Sequence, residues 1–377
     1  MDYKIRTNCI FCESKLDSTF FENDFNNYVA HYGVDMSDNN FVSIPYNVCV
    51  CSKCKTPQNK YLANLDEVYK VNHADSTGTT MIELHKANLN MILKYKDNIH
   101  NILEIGSSVG VLADMILDKL DMTYNIIEPS FFGNKDNKVI YDGFYENVDD
   151  SNIDADTLVI SHVFEHFYNP REILRKVSKN KNIKNFFLVF PDLEYYINNN
   201  VLHVLNTEHT YYVDNKFLVN ILKLHGFDLV EETNYKNHSV IFYFRRNEEK
   251  VENVTVDFIN ENYDLNTYFD RISDTVSYFN KVISSNKNTY LWPASVHTLY
   301  LMVFGLNYND ISGLLDNSPL KIGKKMYGTN KPVYSFLDKI KDKNSVILIN
   351  GGVFNKEVEN ILEDNGTKYY VPEYNIK

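Results

Sequence analysis

The segment at 102–129 constrains the fold of this 377-residue chain more than any other part of it. An apolar run there contains Glu104 and leads to Gly106 and Gly110, after which apolar residues recur at helical spacing. A second apolar run follows and ends in Glu128. Parallel sheets bind nucleosides with such a unit, because the glycines allow close approach of the backbone and the second acid accepts both ribose hydroxyls. The segment therefore predicts a nucleoside site at the carboxyl edge of a parallel sheet.

The spacing of these residues also indicates which nucleoside is bound. Dinucleotide sites use G-x-G-x-x-G to bring a helix N-terminus to a pyrophosphate, whereas here three residues separate Gly106 from Gly110 and Glu104 precedes them. A carboxylate in this place repels phosphate and suits an ammonium group, which favours S-adenosylmethionine over a nicotinamide cofactor. A strand, turn and helix without a ligand is the alternative. The expected cofactor-binding residues are Glu104, Gly106, Ser107, Gly110, Glu128, Pro129 and His162.

The rest of the middle of the chain alternates between strand and helix patterns. Apolar runs at 138–144, 156–162 and 185–192 are separated by amphipathic stretches. Two further runs, at 227–235 and 239–246, are joined by a short connection, which makes that pair antiparallel. Five parallel strands followed by an antiparallel hairpin is the strand order of class I S-adenosylmethionine-dependent methyltransferases. The sheet and the glycine segment thus predict the same Rossmann-like α/β fold.

Four of the five cysteines form two C-x-x-C knuckles near the N-terminus, Cys9 with Cys12 and Cys51 with Cys54. Two such knuckles supply four thiolates to one tetrahedral zinc ion, and the spacing is normal for a zinc ribbon. Four thiolates leave no open position on the metal, so this zinc is expected to be structural. Cys49 offers another chelating pair with Cys51; we expect Cys51 to be the ligand and Cys49 to be a buried thiol. Reduced cysteines without a metal are the alternative.

The last third of the sequence predicts a second, smaller α/β unit, also Rossmann-like. Helical spacing over 254–282 indicates a connecting helix, and later strand runs alternate with helical stretches. Asp316 ends one of these runs, as a ribose-binding acid does, but the tripeptide 293–295 reads Pro-Ala-Ser where a glycine turn would precede it. A substrate contact or a scaffolding role is therefore favoured over a second nucleotide site. We predict three domains, at 1–80, 81–250 and 251–377.

The charge of the chain narrows the possible partners. Its formal net charge is -12, whereas nucleic-acid binding depends on Lys and Arg that neutralise phosphates. A DNA or RNA substrate is therefore disfavoured, and a small-molecule substrate is expected. No apolar run reaches the roughly 20 residues that a membrane span requires, and the first residues contain no hydrophobic signal segment. We expect a cytoplasmic protein with neither a nucleic-acid nor a membrane partner.

Several distinctive motifs from all three segments occur together. They are the two cysteine knuckles, LEIGSSVG with IIEPS, His166 in SHVFEHF, Glu208-His209 followed by Tyr212, His238-Ser239, and DNSPLKIGKKMYGT. In these motifs and in the order of its segments, the chain resembles the sugar C-methyltransferases that act on nucleotide-linked deoxysugars. The resemblance implies S-adenosylmethionine, one structural zinc ion and a role in sugar biosynthesis. It also implies candidate substrate contacts at Tyr69, His73, Asn206, Tyr212, His238 and Lys321.

Two of these motifs depart from the pattern of that family. At 206–209 the chain reads Asn-Thr-Glu-His where the family has Tyr-His-Glu-His. At 238–240 it reads His-Ser-Val where the family has His-Gly-Gly. Both departures fall where the substrate is expected to lie. They leave open which sugar is bound and which of its atoms is methylated.

The chemistry required at the acceptor points to a histidine base. A carbon next to a ketone becomes a nucleophile when a base removes its proton to give an enolate, which then attacks the sulfonium methyl group in line. His209 is the predicted base, because histidine titrates near working pH, with Glu208 or His166 orienting it or stabilising the oxyanion. The same histidine could deprotonate a hydroxyl, so O-methylation of a sugar or related small molecule is the alternative. The non-enzymatic alternative is a protein that binds the cofactor or a nucleotide sugar without turnover.

A competing motif overlaps His166. The segment from His162 through Glu165 to His166 matches H-x-x-E-H, in which two histidines on one helix bind a catalytic zinc and the glutamate is the base. That site requires a helix long enough to present both imidazoles. Here the motif directly follows a predicted strand and meets Pro170 one turn later. A metallopeptidase is therefore disfavoured.

Overall fold

The structure is a computed structural model. It describes residues 3–16, 19–28, 43–69, 79–199, 201, 206–236, 238–247, 258–260, 264–318, 321–326, 329, 331–339, 341–352 and 355–372. Within these ranges the strands form sheets of 7, 5, 3 and 2 strands. No helix in the same ranges combines the length and the apolar character that crossing a bilayer requires.

Short antiparallel strands surround the cysteine knuckles in the N-terminal segment. Its elements are β1 (Lys4–Ile5), β2 (Thr19–Tyr28), β3 (Ser43–Val50), β4 (Pro57–Asn59), β5 (Tyr61–Leu62) and α1 (Leu65–Val68). β2, β3 and β4 form one antiparallel sheet, and β1 pairs with β5. Helix α1 begins after Asn64, whose side chain accepts a hydrogen bond from the amide of Asp66.

The middle of the chain forms the seven-stranded sheet. Its elements are α2 (Thr79–Lys94), β6 (Asn101–Ile105), α3 (Val111–Leu117), β7 (Thr123–Glu128), β8 (Lys138–Asp142), β9 (Thr157–Ser161), α4 (Pro170–Lys179), β10 (Asn185–Pro191), α5 (Leu193–Asn198), α6 (Asn215–Leu224), β11 (Phe227–Tyr235) and β12 (Ser239–Arg246). The strand order is β11-β12-β10-β9-β6-β7-β8. The five strands from β10 to β8 are parallel, and β12 runs antiparallel to both β10 and β11. This order confirms the predicted class I Rossmann-like methyltransferase fold.

Alternate residues of the central strands are buried on opposite faces of the sheet. Ile102 of β6 belongs to an apolar core with Ile116 of α3, whereas the next residue, Leu103, belongs to the core that contains Leu174 of α4. Helices therefore cover both faces. Coverage of both faces explains why these strands read as continuous apolar runs and not as alternating ones.

The C-terminal segment confirms the prediction of a second, smaller α/β sheet. Its elements are α7 (Leu265–Ser285), β13 (Thr289–Trp292), α8 (Val296–Val303), β14 (Gly313–Asp316), β15 (Val333–Ser335), α9 (Phe336–Lys339), β16 (Val346–Ile349), α10 (Asn355–Asp364) and β17 (Lys368–Tyr370). All five strands are parallel, in the order β15-β14-β13-β16-β17. The connecting helix predicted at 254–282 is shorter at its start, since 258–260 is not helical. Helix α7 begins only after Asp264, whose carboxylate accepts the amide hydrogen of Thr267.

The N-terminal segment packs on the loop between α5 and α6. Arg6 is buried, and its guanidinium donates to the carbonyl oxygens of Thr210 (2.6 Å) and Tyr168 (3.0 Å). Gln58 of β4 forms an antiparallel bridge with Tyr211 of the loop. This loop also carries the predicted base, so the N-terminal segment contributes to the position of that residue.

One apolar core runs through all three segments. It includes Phe11 near the N-terminus, Leu188 of β10 and Leu291 of β13. Phe11 also packs edge-on against Tyr211, with 5.2 Å between the ring centroids. The three domain ranges given above stay a prediction, and the shared core shows that the segments are in close contact.

Candidate functional site

A cavity of about 480 Å³ lies at the carboxyl edge of the central sheet. It has two parts, which we name by their residues. The acidic half is lined by Glu104, Gly106, Ser107, Ser108, Glu128 and Pro129. The histidine half is lined by His162, Glu165, His166, Glu208, His209 and His238. Most of the site residues predicted from the sequence therefore meet in one cavity.

Glu104 is the buried acid of the acidic half. It lies near the end of β6 and accepts hydrogen bonds from the Ser107 hydroxyl (2.6 Å) and the Tyr124 hydroxyl (2.9 Å). Burial raises the pKa of Glu104 to about 7, against the opposing effect of these two hydrogen bonds. A cation bound beside a carboxyl group with this pKa stabilises its ionised form.

Glu128 ends the neighbouring strand β7, and one of its carboxylate oxygens accepts the amide hydrogen of Ser108 (2.9 Å). Gly106 lies between the two acids with φ of +74°, and a Cβ there would stand 2.3 Å from a methyl carbon of Val163. Glycine is therefore required where β6 turns towards the cavity. Gly110 has φ of +80° and directly precedes α3; it does not line the cavity, and its role in cofactor binding stays a prediction.

The raised pKa of Glu104 predicts that the affinity for S-adenosylmethionine depends on pH. Only the ionised carboxylate attracts an ammonium group, and Glu104 ionises as the pH rises through about 7. Between about pH 6 and about pH 8 we expect the affinity to increase about tenfold, because the ionised fraction increases by that factor. Calorimetric titration at the two pH values measures this. Glu104→Gln should bind more weakly and without this pH dependence; an equal wild-type affinity at both values would contradict the assignment.

Glu165 is the buried acid of the histidine half. It lies in a 3₁₀ turn (Phe164–His166) after β9, and its Oε1 accepts a hydrogen bond from Nδ1 of His162 (3.1 Å). One carboxylate oxygen of Glu165 and one ring nitrogen each of His166 and His209 lie within 4.8 Å of one another. The two histidine rings pack edge to face. Burial alone would raise the pKa of Glu165, but the His162 hydrogen bond and the nearby histidines lower it to about 2. The carboxylate is therefore ionised and places a negative charge among the histidines.

The loop that carries Glu208 and His209 is fixed by polar contacts. The side-chain oxygen of Asn206 accepts the amide hydrogens of Glu208 (2.8 Å) and His209 (2.6 Å). The Tyr212 hydroxyl donates to the Asn206 carbonyl (2.8 Å), and the Asn59 amide donates to the His209 carbonyl (2.9 Å). Asn206 and Tyr212 do not line the cavity. The structure thus places these two predicted substrate contacts behind the cavity wall, where they hold the loop.

The other predicted substrate contacts are divided between the cavity and the C-terminal sheet. Tyr69 and His238 line the cavity. Lys321 lies in the C-terminal segment, where its ammonium donates to the carboxylate of Asp316 (3.0 Å), and it does not line the cavity. Asp316 is thereby paired with a lysine, which is consistent with a scaffolding role. His73 lies outside the described residues.

Three residues in or beside the histidine half were not predicted as parts of a methyltransferase site. They are Glu165, Tyr196 and Ser239; the first two line the cavity, and Ser239 contacts His162 (2.8 Å). The position of Glu165 beside a histidine, directly after a strand, is the signal that could have found it. No sequence signal indicates that Ser239 meets a residue 77 positions away.

The H-x-x-E-H motif does not form the helix that a metallopeptidase requires. Its last three residues form a single 3₁₀ turn, and the next helix begins only at Pro170. His162 donates to Glu165 through Nδ1, and its Nε2 is hydrogen-bonded to the Ser239 hydroxyl. Both imidazole nitrogens of the first motif histidine are thus hydrogen-bonded to side chains, which agrees with the expectation that the peptidase reading is disfavoured.

The four knuckle cysteines meet in the N-terminal segment. The sulfurs of Cys9 and Cys54 are 3.4 Å apart, as are those of Cys12 and Cys51, and all four lie within 4.8 Å of one another. These four could hold one metal ion, and a set of four thiolates is typical of structural zinc. Cys49 is buried outside this cluster.

A match to a family model agrees with the fold of the central sheet. Residues 78–232 match a family model described as a methyltransferase domain. No curated protein matches the chain. Similar solved structures include the 1,6-didemethyltoxoflavin-N1-methyltransferase of Burkholderia thailandensis with S-adenosylhomocysteine, at 10% identity over 57% of this chain and 100% of that chain, with a TM-score of 0.40. The PH0226 protein of Pyrococcus horikoshii OT3 shows 15% identity over 48% of this chain and 98% of that chain, with a TM-score of 0.37. The N-terminal domain of EvdMO1, in the presence of S-adenosylhomocysteine and D-fucose, shows 12% identity over 46% of this chain and 85% of that chain, with a TM-score of 0.33.

The strand order of the central sheet defines the class I Rossmann-like fold of S-adenosylmethionine-dependent methyltransferases. The residues that match the methyltransferase-domain model, 78–232, run from α2 into β11 of this part of the chain.

Proposed function

We propose that this protein is an S-adenosylmethionine-dependent methyltransferase that methylates a carbon of a nucleotide-linked keto-deoxysugar, through an enolate formed by His209. The observation that carries the proposal is that the acidic half and the histidine half belong to one cavity. Two acids suited to a sulfonium nucleoside line one half, and a cluster of histidines around an ionised glutamate lines the other. Donor and acceptor bound in these halves would lie side by side.

The acidic half has the groups that S-adenosylmethionine requires. Glu104 would bind the methionine ammonium group, and Glu128, which ends the next strand, would accept the ribose hydroxyls. Gly106 has no side chain, so its backbone is accessible to the donor. A Cβ at this position would collide with Val163. Once bound, the donor supplies an electrophilic methyl group on a positively charged sulfur.

The histidine half has the groups that an enolate mechanism requires. His209 takes the proton from the carbon next to the carbonyl, and the electron pair of the broken C–H bond enters the enolate. The ionised Glu165 lies beside His209 and stabilises the imidazolium that forms. Glu208 or His166 orients the base; the His166 ring packs against His209 with 5.0 Å between centroids. The enolate carbon then bonds to the methyl group as the methyl–sulfur bond breaks.

The substrate class rests on the motifs shared with sugar C-methyltransferases, and the thiolate cluster belongs to the same set. We therefore include one structural zinc ion, held by Cys9, Cys12, Cys51 and Cys54. O-methylation is the second enzymatic candidate, since His209 could equally deprotonate a hydroxyl. A protein that binds these ligands without turnover is the non-enzymatic candidate.

Deuterium uptake separates the three candidates. The protein is first titrated with S-adenosylmethionine by calorimetry and is then incubated with nucleotide-linked keto-sugars in deuterated water, without methyl donor. We expect tight binding of the donor, exchange of the hydrogen next to the carbonyl, and methyl transfer to the same carbon when donor is added. Methylation without exchange would establish O-methylation. Tight binding of the donor without exchange or methylation across a broad sugar panel would establish the binding protein.

A further inference from the structure

A continuous chain of hydrogen bonds crosses the histidine half of the cavity. Its members, in order, are Glu165, His162, Ser239 and His238. The distance from Glu165 Oε1 to His162 Nδ1 is 3.1 Å, from His162 Nε2 to Ser239 Oγ 2.8 Å, and from Ser239 Oγ to His238 Nδ1 2.6 Å. Glu165 is buried at one end, and His238 lines the cavity at the other. The chain connects a buried carboxylate to the space where an acceptor would bind.

The ends of three neighbouring strands bring these residues together. His162 follows β9 with φ of +53°, a left-handed conformation that residues other than glycine seldom adopt. Its amide donates to the carbonyl of Val189 in β10 (3.0 Å), which holds that conformation. Ser239 is the first residue of β12, and the carbonyl of His238 accepts the amide hydrogen of Asp192 after β10 (3.2 Å). With this backbone conformation, the His162 ring lies between Glu165 and Ser239 and hydrogen-bonds to both.

An ionised Glu165 determines the direction of every hydrogen bond in the chain. A carboxylate can only accept, so His162 carries its proton on Nδ1 and its Nε2 accepts from the Ser239 hydroxyl. Ser239 Oγ then accepts from Nδ1 of His238. His238 is left with the lone pair on Nε2. In this state His238 is a hydrogen-bond acceptor towards a bound molecule.

One additional proton on His162 reverses the outer half of the chain. An imidazolium donates from both nitrogens, so the Ser239 hydroxyl turns to donate to Nδ1 of His238, which then carries its own proton on Nε2. His238 is neutral in both states but changes from acceptor to donor. Burial, and to a smaller extent the charge of His162, lowers the pKa of His238 to about 3 and so disfavours a charge on that ring. The positive charge stays on His162, beside Glu165.

We infer that Glu165, His162, Ser239 and His238 form a proton relay, and that His238 is a second catalytic acid–base residue, acting on the oxygen of the acceptor. This inference rests on the proposed function. While His209 takes the proton from carbon, Nε2 of His238 gives its proton to the carbonyl oxygen. Nδ1 of His238 receives the Ser239 proton, and Ser239 receives the Nε2 proton of His162. When the enol carbon attacks the methyl group, the carbonyl reforms and the proton returns along the same path.

The neighbours of the relay are titratable as well. Those that face it are Tyr196 and Asp192 at the start of α5, His166 in the turn after β9, and His209 and Tyr211 in the loop before α6. Burial raises the pKa of both tyrosines, so they remain neutral in the working range. Not only His162 but also His166 and His209 interact electrostatically with the Glu165 carboxylate and lower its pKa. The state of the relay must therefore be measured at His162 and His238 themselves.

Histidine spectra of the ¹⁵N-labelled full-length protein test the relay without any substrate. We expect His238 to stay neutral from about pH 5.5 to about pH 8.5, because its pKa is near 3. We also expect the His238 tautomer to follow the protonation state of His162: the proton lies on Nδ1 of His238 beside a neutral His162 and on Nε2 beside an imidazolium at His162. A His238 tautomer that is the same beside neutral and beside protonated His162, or an imidazolium at His238 within this range, would overturn the relay.

Ser239→Ala removes the central hydroxyl and leaves both histidines. We expect the tautomer change at His238 to disappear and deuterium uptake by a keto-sugar to fall at least about tenfold, with unchanged affinity for S-adenosylmethionine. Ser239→Thr keeps a hydroxyl and should restore both. Ser345→Ala, which removes a buried hydroxyl just before β16 of the C-terminal segment, is the matched control and should change neither. Full exchange in Ser239→Ala would refute the relay and leave the proposed function intact. A coupled tautomer change in a wild-type protein that turns over no keto-sugar would refute the proposed function and the catalytic role of His238, and would leave the hydrogen-bonded relay itself intact.

Discussion

Replacement of His209 by alanine is expected to reduce deuterium uptake by a nucleotide-linked keto-sugar roughly 100- to 10,000-fold, the range that a positioned general base contributes. The reason is the location of the ring. His209 lines the cavity, and one of its ring nitrogens lies within 4.8 Å of a carboxylate oxygen of Glu165 and of a ring nitrogen of His166. An ionised carboxylate at this distance stabilises the protonated form of the base. The rate of uptake is measured by mass spectrometry without methyl donor, so the methyl-transfer step does not contribute.

Two comparisons make this result specific. S-adenosylmethionine should bind His209→Ala with wild-type affinity, because the acidic half contains none of the groups removed. His100→Ala is the control for a lost histidine, since this side chain is 77% exposed and pairs with Asp156 on the surface. Its exchange rate should equal that of the wild type. Wild-type exchange in His209→Ala would assign the base to another residue of the cavity.

The central fold and the acidic half could be predicted because their signals are local. Glu104, Gly106 and Glu128 lie within one strand-turn-helix-strand unit, whose backbone geometry admits few residue types. The requirement for glycine at Gly106 illustrates this, since a side chain there would strike Val163. The apolar runs likewise reflect a sheet that is buried on both faces.

The histidine half could be predicted only in part because its contacts join distant residues. His162 and Ser239 are 77 positions apart, and Arg6 reaches Thr210 across 204 positions. Such pairs follow from the packing of strand ends and leave no periodic signal in the sequence. The same reason explains Asn206 and Tyr212, which belong to a motif near the base yet hold the loop from behind. A motif locates a loop, and the packing around the loop determines which of its side chains reach the cavity.

Loss of one knuckle cysteine is expected to abolish metal binding and to reduce methyl transfer roughly a hundredfold, with little change in affinity for S-adenosylmethionine. In Cys51→Ser a single thiolate of the cluster is missing, and a structural zinc site depends on all four. The fold around the knuckles then loosens, and with it Arg6, which donates to the Thr210 carbonyl next to His209. A displacement of the base by about 1 Å is sufficient for a loss of this size. The acidic half lies on β6 and β7, which do not depend on that contact.

Cys49→Ser provides the matched control for this prediction, because Cys49 is also buried and lies two residues from Cys51 but outside the cluster. Elemental analysis should find one zinc per chain in the wild type and in Cys49→Ser, and none in Cys51→Ser. Methyl-transfer rates and calorimetric affinities are then compared for the three proteins. Retained zinc in Cys51→Ser would contradict the ligand assignment. Equal losses of transfer and of donor affinity would show that the ribbon supports the whole cavity and not the base-bearing loop alone, because only a local effect leaves the acidic half intact.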